Sequence, residues 1–355
     1  DAVGRLAFPV SIRSSASDPV PGNNSATNET VVLPPPFPSQ MAVDLPARHL
    51  VSSPDGKELW LAVGLEAAPA GIAVLDPDTG VRLRTLPVGT DPRRMAFTPD
   101  NRAVYVQLGT NRLVRWNLDT SALDFEREFT GDTVVDFVSL PEPRGRLAVL
   151  NRAKLTILEG NSVVQNITLP AATQRAVGVQ GGRLWVAWQD NLRAYRINAG
   201  NLTADITRSV YVPSGNYRFT VEGDQLFFDG RIVNVNGGER SPTFNSGIPW
   251  IPAGEFAYNA LAGVLRRHRM SDLNSDAEAG VPGLDLAGAL LDQVRFGTNG
   301  FAFRTERGLL FSARSPLVRS GTGDLAVSIE ALEPAYYNQP VAIRLVVTNR
   351  GPDAV

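Results

Sequence analysis

The chain has 355 residues, 43% apolar and 20% charged, with a formal net charge of −2. That balance suits a globular chain with a sizeable core. With no long basic run it excludes the concentrated positive field of nonspecific nucleic-acid binding, and with no cysteine and only His49 and His268 it excludes disulfides, thiolate metal sites, cysteine nucleophiles and histidine-rich metal centres.

The opening residues, DAVGRLAFPV, have neither a basic segment nor a long apolar core, so they are not a signal peptide. Asp1 is expected to begin a fragment or a mature segment. No stretch of about 18 apolar residues occurs anywhere, so no membrane-spanning helix is expected. LAFPVSI (6–12) and the run ending at Val32 alternate like half-buried strands. PPPFP (34–38) predicts a stiff, extended spacer. SQMAVDLP (39–46) reads as a strand with no neighbour of its own.

From residue 49 onward two short apolar runs flank a tight turn seven times. The copies are HLVSSPDGKELWLAVG (49–64), RMAFTPDNRAVYVQLG (94–109), VDFVSLPEPRGRLAVL (135–150), RAVGVQGGRLWVAW (175–188), YRFTVEGDQLFF (217–228), IPWIPAGEFAYNAL (248–261) and GFAFRTERGLLF (300–311). Their turn residues, Gly56, Asn101, Gly145, Gly182, Gly223, Gly254 and Gly308, are spaced by 45, 44, 37, 41, 31 and 54 residues, a mean of 42. A period near 40 built from strands predicts propeller blades. A third apolar run follows each of the first six hairpins, as in GIAVLDPDTG (71–80) and RLVRWNLDT (112–120), several closing in a turn where Asp or Asn bonds the backbone ahead of it. Fourth runs follow in VRLRTLPVG (81–89), VVQNITLP (163–170) and DITRSVYVP (205–213). Four antiparallel strands per period make one blade. The window 283–294 is read as a single helical turn, from Leu286, Leu290 and Leu291.

The seventh copy lacks an outer strand, and 39–46 is its expected donor, which would close the ring and remove free edges. The expected fold is therefore all-β: a seven-bladed β-propeller over 39–319, with incomplete β-sandwich strands at both ends.

Three resemblances sharpen this expectation. SPDGKELWLAV, GIAVLDPDTG and PRRMAFTPDNRAVYV resemble the bacterial family of seven-bladed surface-layer and lactonase-like propellers. DLAVSIEALEPAYYNQPVAIRLVVTNRGPDAV (324–355) resembles the opening strands of the immunoglobulin-like repeat of large bacterial surface proteins. SDPVPGNNSATNETVVL, ending 1–33, resembles the last strands of the same domain type. These imply a domain tail at 1–33, the proline linker at 34–38, and a joint with a domain head at 320–355. The two end pieces are together too short for a complete sandwich of roughly 100 residues.

Candidate sites are few. No Gly-x-Ser-x-Gly elbow, P-loop or dinucleotide fingerprint is present. Arg48, Arg94, Arg175 and Arg218 stand at or near the start of the innermost strand in four blades. Four guanidinium groups around one channel mouth suit an anionic group; the other reading pairs each with a neighbouring carboxylate or carbonyl. Asp272, Asn274, Asp276 and Glu278 alternate like a calcium loop, though Ala277 replaces the usual glycine and Gly283 the usual bidentate glutamate. The competing reading is a solvated acidic loop. Asn23, Asn28, Asn166 and Asn201 begin glycosylation triplets that carry meaning only in a eukaryotic secreted protein.

The leading expectation is a non-catalytic structural or adhesive module of a large secreted bacterial surface or matrix protein, extracellular or on the cell surface. Its partners would be itself, assembling head-to-tail into fibres, neighbouring immunoglobulin-like or propeller modules, and surface polysaccharide. Calcium is the one candidate cofactor. The alternatives are a propeller enzyme, lactonase-like or a calcium-dependent hydrolase, and a glycan- or peptide-binding module using Trp250 and Tyr217.

Overall fold

A computed structural model describes residues 4–11, 25–32, 39–67, 69–141, 146–169, 175–180, 182–188, 191–198, 201–209, 220–222, 225–228, 231–234, 238–239, 251–253, 256–261, 263–315, 317–318, 325–331 and 343–349. The proline segment 34–38, the joint 319–324, Gly145, Gly223, Gly254, Tyr217, Arg218 and Trp250 lie outside them.

Among the described residues the chain is all-β, with seven four-stranded antiparallel sheets and a two-stranded hairpin at each end. Sheets 1 to 6 take their strands in chain order from 47–86, 92–128, 134–168, 175–209, 220–239 and 251–280. Sheet 7 uses Leu290–Phe296, Gly300–Thr305 and Leu309–Arg314, and its fourth strand is Ser39–Asp44. That strand pairs antiparallel with Leu309–Arg314, from Ser39 opposite Arg314 to Asp44 opposite Leu309. The run 39–46 thus supplies the outer strand that the sequence lacks after residue 314. The first strand of each sheet packs on the first strand of the next, and that of sheet 7 on that of sheet 1.

Alternation explains why these strands stack. In Leu59–Val63 all five side chains are buried. Leu59, Leu61 and Val63 face the seam with sheet 7, joining Met41, Leu50, Phe296 and Leu310, while Trp60 and Ala62 face sheet 2, joining Met95, Val104, Val106 and Trp116. Period-two side chains thus feed two different cores from one strand. Tyr105, Phe125 and Phe137 fill the next seam, and Tyr258, Phe301 and Phe303 the seam between sheets 6 and 7. Fourth strands lie at the rim and expose most of their residues, as in Ser162–Thr168.

Turn chemistry follows the sequence. Gly56, Asn101, Gly182 and Gly308 have φ of +69°, +59°, +71° and +79°, the left-handed region that glycine and asparagine tolerate. At Gly56 close approach adds a second requirement, because a Cβ there would lie 2.4 Å from the backbone nitrogen of Gly297. The Asp-x-x-Thr-Gly turn is built on Asp76, whose Oδ1 accepts the Asp78 and Thr79 N–H groups at 2.9 and 2.8 Å.

Three details of the expected layout change. The hairpin 300–311 is the second and third strands of sheet 7, not its first two. The first strand is Leu290–Phe296, so the helical expectation for 283–294 fails over its last residues, and 281–287 forms successive turns. Asp292 and Gln293 are buried in that strand and interrupt its apolar run, which hid it. The fourth strand of sheet 4 is Asn201–Ser209, starting upstream of DITRSVYVP.

The end hairpins pair Gly4–Ser11 with Ser25–Val32 and Leu325–Ala331 with Ile343–Asn349.

Candidate functional site

The starts of the first strands surround one end of the ring. The ladder breaks register there in four sheets, skipping one residue between Ala47 and His49, Val134 and Asp136, and Leu290 and Asp292, and two between Pro92 and Met95. Such bulges re-aim the side chain that follows. In each sheet a polar residue then precedes the first inward apolar one: His49 before Leu50, Arg94 before Met95, Asp136 before Phe137, and Asp292 before Gln293 and Val294.

These side chains tie neighbouring sheets together. His49 Nδ1 accepts the Met95 N–H at 3.2 Å. Arg94 pairs with Asp136, whose Oδ2 accepts the Val177 N–H at 3.1 Å. Gln107 Nε2 donates to the Val134 carbonyl at 3.0 Å. Gln293 Oε1 accepts the Ala260 N–H at 3.2 Å. Between sheets 7 and 1, Arg304 Nε donates to Asp292 Oδ2 at 2.8 Å while its Nη1 donates to the Ala47 carbonyl at 3.0 Å. This pair is nearly dry, with side-chain exposures of 9% for Arg304 and 1% for Asp292. Burial pulls the Arg304 guanidinium down to about 10, which leaves it charged at neutral pH.

The four expected arginines fare differently. Arg48 is held by Glu66 at 3.2 Å and by Asp91. Glu66 sits below the ordinary carboxylate range, chiefly through its own backbone N–H and also through Arg48. Arg94 is taken by Asp136. Arg175 begins the first strand of sheet 4, and Arg218 lies outside the described residues. Arg48 and Arg94 are thus each paired with carboxylates: Asp91 and Asp136 belong to the next sheet or its approach, and Glu66 to a loop of sheet 1 itself. Asp136, Asp292 and Arg304 are the residues sequence reasoning missed. For Asp136 and Asp292 the signal was a polar residue directly ahead of a first-strand apolar run; Arg304 stands in the second strand of sheet 7.

The acidic stretch lies on a turn and on the rim strand Ser275–Gly280 of sheet 6. Each carboxylate faces its own arginine: Asp272 with Arg269 at 2.9 Å, Asp276 with Arg267 at 2.9 Å, and Glu278 with Arg266 at 3.2 Å. Asp272 Oδ1 also accepts the Asn274 N–H at 3.1 Å, the main reason its carboxyl lies below the usual range. Among the described residues no three His, Cys, Asp or Glu side chains converge as a metal would require.

His268 lies inside sheet 6, 3% exposed. Its Nδ1 lies 3.2 Å from the Leu273 carbonyl and its Nε2 3.1 Å from Asn259 Oδ1. Both partner oxygens accept, so the neutral ring can donate to only one of them. Burial pushes its pKa below the usual histidine value.

No protein-family model matches the chain, and neither does any curated protein. Solved structures do. The chain is similar to BamB from Moraxella catarrhalis, at 10% identity and a TM-score of 0.51, over 75% of this chain and 82% of that one. It is also similar to the Cps50 (Swd1) β-propeller domain of Myceliophteria thermophila, at 11% identity and a TM-score of 0.58, over 79% of this chain and 99% of that one. At such identities the likeness speaks of fold alone. With the repeated four-stranded sheets, it makes the body of this chain a β-propeller.

Proposed function

We propose that this chain is a non-catalytic structural or adhesive module of a large secreted bacterial surface or matrix protein. In this reading the seven sheets are blades of one closed ring, and the end hairpins belong to immunoglobulin-like domains on either side. The carrying observation is that the chain enters the ring at Ser39 and leaves it at Arg314, register partners on adjacent strands. The ring is therefore carried as a bead beside one point of the chain, with paired strands leading in and out.

Ionisable groups at the mouth support the same reading, because they join neighbouring sheets. Assembly would follow from the hairpins. A two-stranded hairpin is marginal alone, and its open edges pair with another strand. A head-to-tail contact that does not close gives a filament.

Size-exclusion chromatography and negative-stain microscopy of residues 1–355 test this. Extended arrays are expected; a compact monomer at all concentrations would overturn the assembly. Calcium-dependent hydrolysis of a lactone by the pure protein would overturn the non-catalytic assignment.

A further inference from the structure

A cavity of about 620 Å³ opens between sheets 1 and 2, at the end of the ring opposite the first-strand starts. Its lining includes Arg84, Asn101 and Ser121 and three aromatic residues, the half-buried Phe97 and, beneath it, the edges of the buried Trp60 and Trp116. Trp60 and Phe97 meet edge to face at 5.1 Å. The volume falls within the range of small-ligand pockets, about 300–1,000 Å³.

Two backbone positions single this cavity out. The first hairpin turns of sheets 1, 4 and 7 put Gly56, Gly182 and Gly297 at φ of +69°, +71° and +53°. Sheet 2 puts Asn101 there, at +59°. The last turns of sheets 1 and 3 put Gly80 and Gly160 at +70° and +54°, whereas sheet 2 puts Ser121 at +53°. Both departures in sheet 2 line the same cavity. A left-handed backbone strains any residue with a Cβ, asparagine least. The third non-glycine residue of this kind, Leu273 at +60° in the last turn of sheet 6, is buried in the core beside Phe227 and Ile232. Asn101 and Ser121 are exposed, and among the described residues their side chains find no hydrogen-bond partner. Strain retained without a packing role points to a ligand contact.

The charges around the cavity are matched internally. Glu58 takes Arg84 through both oxygens, at 2.6 and 2.8 Å, and also the Trp60 indole N–H at 3.0 Å. Asp55 accepts from the Ser53 hydroxyl at 2.7 Å and lies 3.7 Å from Lys57. No surplus charge remains to recruit an ion. The groups left over are an amide and a hydroxyl, each able to donate and accept, beside Phe97.

We infer that this cavity binds a neutral saccharide, with ring hydroxyls on Asn101 and Ser121 and an apolar ring face over the half-buried Phe97. A peptide side chain is the poorer fit, because the Arg84 guanidinium lies 5.5 Å over the Trp60 ring and roofs the deepest part. The inference does not depend on fibre assembly.

The test is tryptophan fluorescence of the full chain titrated with maltose, cellobiose and chitobiose, each to millimolar concentration. Glucuronic acid serves as the anionic control and an acetylated Pro-Leu-Pro amide as the peptide control. At least one neutral disaccharide is expected to shift the emission, and the controls are not. The Asn101→Gly/Ser121→Gly variant restores the glycines of the other turns, so it should melt no lower than the parent yet bind at least about tenfold more weakly. Three outcomes would each overturn the inference: no response to any of the three sugars, response only to a control, or equal binding by the glycine variant.

Discussion

The Arg304–Asp292 pair holds the last sheet to the first, and its removal can be worked through in numbers. Asp292 is almost wholly buried, and Arg304 spends one nitrogen on it and another on the Ala47 carbonyl. Asp292→Asn keeps the shape but leaves a buried guanidinium without its counter-charge. Breaking a buried pair from one side costs about 3–5 kcal/mol. At roughly 2–4 °C per kcal/mol for a large domain, the melting temperature should fall by about 6–20 °C. Arg304→Met alone should cost a similar amount, since it strands the carboxylate. The double variant Asp292→Asn/Arg304→Met removes both charges and should recover most of the loss, apart from about 1–3 kcal/mol for the unpartnered Ala47 carbonyl. Denaturant titration of the four proteins closes the cycle. If the single and double losses simply add, the two groups are uncoupled and the argument from burial is wrong.

Three further outcomes are expected. Deleting residues 34–46 removes the outer strand of sheet 7 and the buried Met41, costing at least about 2–5 kcal/mol; an unchanged melting temperature would refute the closure. The folded pKa of His268 lies below its unfolded value of 6.5, so the unfolded chain binds the extra proton and stability is lost as pH falls below about 6.5. His268→Gln should flatten that part of the melting-temperature profile between pH 7 and 5, and an identical slope in the variant would remove His268 as its source. Calcium should leave the melting temperature unchanged, because arginines already face Asp272, Asp276 and Glu278; a rise abolished by Asp276→Ala would instead assign the stretch to the cation.

What the sequence revealed was local. Two apolar runs around Gly56 or Asn101, and the Asx turn at Asp76, announce themselves within a dozen residues because alternation and turn chemistry are short-range. Sheet 7 misled because GFAFRTERGLLF has the same apolar-turn-apolar form as a first hairpin. Its true first strand carries Asp292 and Gln293 where alternation favours apolar residues. Those two positions are polar because of partners on other strands: Asp292 accepts from Arg304, and Gln293 accepts from the Ala260 N–H in sheet 6, 33 residues away. The same holds for the mouth. Arg48 and Arg94 were visible as arginines, but Asp91 and Asp136 become their partners only once one sheet stacks on the next. The cavity of Asn101 and Ser121 was hidden for a related reason, because asparagine and serine are ordinary turn residues until neighbouring turns are superposed.

The placement of Ser39 opposite Arg314 also has a mechanical consequence. A pull along the chain reaches the ring at two register partners, so it loads the Ser39–Asp44 ladder from one end and peels it rung by rung. The same strand pulled lengthwise would resist with all its rungs at once. Ser312 to the Pro77 carbonyl and Arg314 to Asp78 at 2.9 Å sit at the end where peeling begins. They act as rivets at the head of a zip, and a ring held this way opens at its seam before any other sheet feels the load.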